Sequence, residues 1–323
     1  MLMWLAALIA TMASAGSAPP AANPLTVSVE TADADRFAEV FLNAKGRPTA
    51  EQLQRGYLDP GSYGVRVFTP DRIIDAHHLA EAVGKRPDFY ARAINVCLPI
   101  VKGTTPELRA TYLAFRGLFP ERPLPRFYLV VGADNSGGTA GPGAQVLGLE
   151  TLCGLADTPE KLREIVRSFY AHETVHTFQP AAGMEEFDGG LLSSVLVEGA
   201  ADFIATLVTG HQIDPARAAW ATPREAELWQ QFEADLATTR NMKWSARKPG
   251  TLVAESFNRW IGNYGSAPKG WPTEVGYWMG QRIWQRWYDR QPDKRAAVRE
   301  MVALTDPAGV LAQGRFQDAL PPK

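Results

Sequence analysis

Apolar residues recur at three- and four-residue intervals along most of this chain, which predicts a largely helical protein. Between Asp33 and Pro120 the pattern gives a succession of helices. DADRFAEVFLNAKG ends at Gly46, PTAEQLQRGYL ends before a Pro60-Gly61 turn, and TPDRIIDAHHLAEAVG begins at a cap-like Thr69 with Pro70 behind it. DFYARAINVCLPIVKG and TPELRATYLAFRGL follow. The period then changes: Phe127 to Val131 and Gln145 to Leu149 are strand-like runs around a glycine-rich loop, so a β-hairpin with a long tip is expected.

Helical spacing returns with Leu162, Ile165, Val166, Phe169 and Tyr170. Asp157 or Thr158 can cap this helix, Pro159 suits its first turn, and Gln179-Pro180 stops it, because proline disfavours helical geometry in the residue before it. LLSSVLVEGAADFIATLVTG is a second helix, closed by Gly210. Beyond it the chain is helical again, with turns at Pro215, Pro223, Pro249, Pro268 and Pro272. PTEVGYWMGQRIWQRWYDRQ places Tyr277, Trp284 and Tyr288 on one side, and Gly276 with Gly280 leaves a groove for a neighbouring helix. The expected fold class is mainly α within α+β, with one small hairpin or sheet. Residues 33–323 form one domain: an N-terminal helical lobe at 33–120, a central 121–210 part and a C-terminal helical lobe at 211–323.

The first residues change the picture of where the chain works. The apolar run from Leu2 to Met12 is too short to span a bilayer, and Ala13-Ser14-Ala15 is an A-x-A cleavage site. Residues 1–15 therefore read as a secretory signal and 16–32 as an extended lead-in, giving a periplasmic or secreted protein with no stable membrane span after cleavage. The net charge of −2 gives no basic surface for nucleic acid. Cys97 and Cys153 are the two cysteines; in an exported chain they pair, or else each packs as a small buried thiol.

The chemistry concentrates in HETVH, which holds two of the five histidines. His172 and His176 are one helical turn apart and can grip one metal ion, while Glu173 is set to reach a water beside it as general base. A catalytic zinc site needs three protein ligands and an open position. Glu198 on the next helix is the third ligand, and Asp202, one turn on, can accept a ring proton of a zinc histidine. The small Gly199, Ala200 and Ala201 would let this helix approach the HETVH helix closely. Other histidines read as structural: His77 and His78 face different directions, and His211 complements a helix end. Glu150, at the end of the second strand, reads as structural.

HExxH followed on the next helix by E-G-x-A-D resembles the gluzincin metallopeptidases, of which thermolysin is the best-known member. The resemblance implies zinc ligands at His172, His176 and Glu198, a general base at Glu173 and a histidine-orienting carboxylate at Asp202. From about Arg126 to Gln285 the chain is also similar to a bacterial family of predicted zinc-dependent proteases related to a gliding-motility lipoprotein. Its GGT-bearing hairpin corresponds to NSGGTAGPGAQVLGLE and its G-Y-x-x-G to Gly276–Gly280. Aromatic stripes of this kind are ordinarily core; the family's motif makes the Tyr277 hydroxyl a candidate donor to the oxyanion, with Arg282 a further candidate. The expected activity is hydrolysis of peptide bonds in a peptide or protein by one Zn2+ ion. The alternative is a non-catalytic exported protein that keeps the zinc fold for binding or envelope assembly.

Overall fold

A computed structural model describes residues 17–180, 190–240 and 248–316; the signal-like stretch at 1–15 lies outside the described residues. The protein is mainly helical with one small three-stranded sheet. It divides into two compact units, one ending at Phe178 and the other beginning at Gln179.

In the first unit the longer helices are α1 (Ala32–Asn43), α2 (Ala76–Lys85), α3 (Thr105–Leu118), α4 (Leu149–Gly154) and α5 (Pro159–Phe178). The sheet comprises β1 (Arg126–Val130), β2 (Gly138–Gly141) and β3 (Ala144–Gly148). Two expectations are corrected. The runs at 127–131 and 145–149 are not the two arms of one hairpin: β1 and β3 pair in parallel, Phe127 opposite Gln145. The hairpin is β2–β3, antiparallel, joined by Pro142-Gly143, with Gly143 at φ +66° as the second position of a tight turn demands. The glycine-rich loop thus contributes a strand of its own. Thr69 is not the cap of α2, since its hydroxyl donates back to the Val65 carbonyl at 2.7 Å. Asp75 caps that helix, accepting from the His78 N–H at 2.8 Å.

Aromatic rings fill this unit's core. Phe127 meets Tyr170 edge-on with centroids 4.9 Å apart, and Phe115 meets Phe178 at 5.8 Å. Cys97 and Cys153 form a disulfide, tying the helical segment before α3 to α4.

The second unit contains α6 (Leu191–Thr209), α7 (Pro215–Ala221), α8 (Glu225–Thr239), α9 (Leu252–Asn258), α10 (Val275–Arg290), α11 (Lys294–Ala303) and α12 (Pro307–Gly314). By length and composition α6 could cross a bilayer, but most of it is buried, which makes it a core helix apolar on nearly every face. Its close neighbour is α10. A Cβ on Gly280 would lie 1.9 Å from the Val195 carbonyl oxygen, and one on Gly199 would lie 2.3 Å from the Gly280 carbonyl carbon. The groove expected at Gly276 and Gly280 is real at Gly280, where Gly199 of α6 comes into contact with it. Trp284, fully buried, locks the register by donating its indole N–H to the Leu196 carbonyl at 2.8 Å.

Candidate metal centre

Helix α5 starts where local chemistry dictates. The Thr158 hydroxyl accepts from the Lys161 N–H at 3.1 Å, Pro159 occupies the first turn, and the helix stops at Phe178 before Gln179-Pro180. Its inner face is pinned by polar as well as apolar contacts. Tyr170 Oη is 2.6 Å from Thr104 Oγ1, and Thr174 Oγ1 accepts from the Gln145 amide at 3.0 Å on β3 while donating to the Tyr170 carbonyl. These bonds fix the rotation of the helix, and so the direction in which the HETVH side chains leave it.

The two imidazoles leave together. His172 Nε2 and His176 Nε2 are 3.0 Å apart, with ring centroids at 4.7 Å. Together with Glu198 they offer two nitrogens and a carboxylate oxygen within 4.8 Å of one another. His172 and Glu198 are buried and His176 is half-buried. Such a buried His-His-Glu cluster could bind a metal ion. The donor set fits one: two imidazole nitrogens and one carboxylate oxygen are ligand types that divalent metal ions take.

Glu173, next to the first ligand, is 5% exposed. Strand β2 runs directly against it. A Cβ at Gly138 would lie 2.6 Å from Glu173 Oε1, and one at Gly137 would lie 2.8 Å from the Phe169 ring. A side chain at either position would push the Glu173 carboxylate or the Phe169 ring aside where this segment crosses the helix.

Around Glu198 the second unit gathers further charge. Asp202, one turn on, is 2% exposed and lies 3.8 Å from Arg217 of α7. Arg217 is itself buried, donates to the Glu274 carbonyl at 2.9 Å and holds Asp214 at 3.2 Å. Its guanidinium lies 5.1 Å from the centre of the Tyr277 ring. Burial pushes the Tyr277 hydroxyl well above the usual phenol range, and the carboxylates of Glu198, Glu274 and Asp202 push it the same way. It stays protonated and is a donor at any physiological pH. Burial also pushes Glu274 up to about 7, against the N–H groups of Gly262 and Asn263, which donate to it at 3.0 Å. Glu274 is a non-glycine residue at φ +56°, just before α10.

The remaining sequence candidates separate from the cluster. Arg282 is engaged by both oxygens of Glu225, at 2.9 and 3.2 Å. His77 and His211 are exposed, and His78 Nδ1 is 3.0 Å from the Ile73 carbonyl. Glu150 is fully buried and accepts from the Gly132 and Asp134 N–H groups, so it ties down the loop that leads into β2. Arg217 and Glu274 carry no signal in the sequence, where a charged residue in a short helix reads as solvent-facing. No family model, curated protein or solved structure matches the chain significantly.

Proposed function

We propose that this chain is an exported zinc-dependent peptidase of gluzincin type, cleaving peptide bonds with water. The observation that carries the reading is the His172–His176–Glu198 cluster with a buried carboxylate, Glu173, at its side. His172, His176 and Glu198 would hold the zinc ion. Bound there, zinc supplies Lewis acidity, which lowers the pKa of water towards neutrality and polarises a carbonyl.

The chain's own groups do the rest. Glu173 takes the proton from the attacking water and delivers it to the departing amine. The Tyr277 hydroxyl, kept protonated by its surroundings, donates to the oxyanion. Asp202 orients a histidine ligand, and Arg217 lies 3.8 Å from it. The sheet order β1-β3-β2 leaves β2 as an outer strand, and Gly138 brings that strand onto Glu173. An extended peptide adding along β2 would run past the general base, with main-chain hydrogen bonds holding it irrespective of side chain. Export fits the Cys97–Cys153 disulfide, which an oxidising compartment preserves.

Glu173→Gln tests the reading. The variant should bind zinc as the wild type does and lose hydrolysis of a random peptide library by at least a hundredfold. Equal, chelator-insensitive cleavage by both proteins overturns the assignment. Stoichiometric zinc in a wild type that cleaves nothing in the library leaves the chain as a non-catalytic zinc-fold protein.

A further inference from the structure

The second unit carries a cavity of about 370 Å³ that the proposed chemistry does not use. Its wall comprises Trp220 from α7, Arg224 from the turn that follows, Glu227 and Gln231 from α8, and Lys269 and Trp271 from the segment before α10. That volume sits within the range of small-molecule sites, roughly 300–1,000 Å³.

Two tryptophans shape it. Trp220 and Trp271 have centroids 5.5 Å apart and planes tilted by 50°, and both are only half-buried, so indole surface faces the cavity. Neither ring is loose. Trp271 rests edge-on against the fully buried Trp260 at 5.5 Å, and Trp220 is overlaid at 4.8 Å by the Arg224 guanidinium, which also donates to the Trp220 carbonyl at 2.7 Å. Around these faces stand groups of both hydrogen-bonding senses. Arg224 and Lys269 donate, Glu227 and the Gln231 carbonyl accept, and the Gln231 amide donates to Asp235 at 3.2 Å.

This combination selects the ligand. Arg224, Glu227 and Lys269 are exposed around the opening and Gln231 is half-buried, so a purely apolar molecule would leave all four unused. A simple cation meets Arg224 and Lys269, and a simple anion meets Glu227. A pyranose satisfies every part: its C–H face stacks on an indole, while its ring of hydroxyls both donates and accepts. We propose that the cavity is a saccharide-binding site, with Trp220 and Trp271 as the stacking platform and Arg224, Glu227, Gln231 and Lys269 as hydroxyl partners. The site is separate from the metal cluster and does not rest on the peptidase reading.

The test is titration of the full chain with chitotriose, cellotriose and maltotriose, read by tryptophan fluorescence and by saturation-transfer NMR. At least one should give a saturable response with contacts from the sugar-ring protons. Trp220→Ala and Trp271→Ala should each weaken it tenfold or more, Trp220→Phe less, and Glu227→Gln about threefold or more, with the helical circular dichroism unchanged. Chelation should leave the affinity as it was, even if the metal reading fails. Absence of a saturable response to all three sugars overturns the proposal. So does binding that survives Trp220→Ala in a folded protein, or saturable binding of choline or benzoate alone.

Discussion

His172 Nε2 and His176 Nε2 lie 3.0 Å apart, the distance at which one neutral imidazole donates its N–H to the other. Two zinc–nitrogen bonds of about 2.0–2.1 Å at a tetrahedral angle put their nitrogens roughly 3.3 Å apart. The pair is thus set within a few tenths of an ångström of what a cation asks. His176→Ala should reduce bound zinc from one per chain to below about a tenth under equilibrium dialysis at micromolar metal. Retention of a full equivalent would show that the ion sits elsewhere.

Asp202 is tied to Arg217 and buried beyond the reach of bulk water. Removing a carboxylate that orients a metal ligand typically costs 10–100-fold in metal affinity. Asp202→Ala should weaken zinc binding by about that factor in a competition titration. Unchanged affinity would reduce Asp202 to a partner for the Arg217 charge.

The contact between Gly199 and Gly280 leaves no room for a methyl group. Gly280→Ala forces α6 and α10 apart and should destabilise the protein by about 1–3 kcal/mol or more, read from urea unfolding. Gly84 in α2 has nothing within 4 Å of its would-be Cβ. There, Gly84→Ala should stabilise by up to about 1 kcal/mol, as alanine does in an open helix position. Similar effects at the two sites would contradict the packing.

The disulfide joins residues 56 apart in sequence. A thiol assay on unreduced, denatured protein should find no reactive cysteine, whereas two per chain would remove the bond. In the chain-entropy model, Cys153→Ser should cost about 4 kcal/mol of stability.

Glu150 supplies a pH dependence. Burial pushes its carboxyl up to about 7, against the pull of the Gly132 N–H and the other backbone donors. An unfolded glutamate titrates near 4.3. Between those values the folded state holds a proton that the unfolded chain has released, so this group's contribution to stability falls as pH rises from about 4.5 to 7, by on the order of 3 kcal/mol at most. Unfolding midpoints for Glu150→Gln should show a shallower decline over that window than the wild type. An identical slope would assign the titration to another group.

Much of this was legible because it is local. Thr158, Pro159, Pro180 and Gly210 announce the limits of α5 and α6 within a few residues of each end, and the histidine spacing needs only helical geometry. What escaped is non-local. Gly138–Gly141 has almost no β-prone side chains, and becomes a strand only because β3 lies alongside. The parallel pairing of β1 with β3 follows from that insertion. Gly280 was legible as a groove for a neighbouring helix, but not that Gly199, 81 positions away, fills it. Arg217 is buried and Glu274 half-buried by tertiary surroundings that their own neighbours do not encode.

Gly138 has no functional group, yet the strand can lie on the Glu173 carboxylate only because that position is bare. A single methyl there would fall 2.6 Å from Glu173 Oε1, so the carboxylate would have to swing away from its present place. Under the proposed reading, Gly138→Ala should lower peptide hydrolysis while zinc stays bound, and a survey confined to chemically active residues would pass over it.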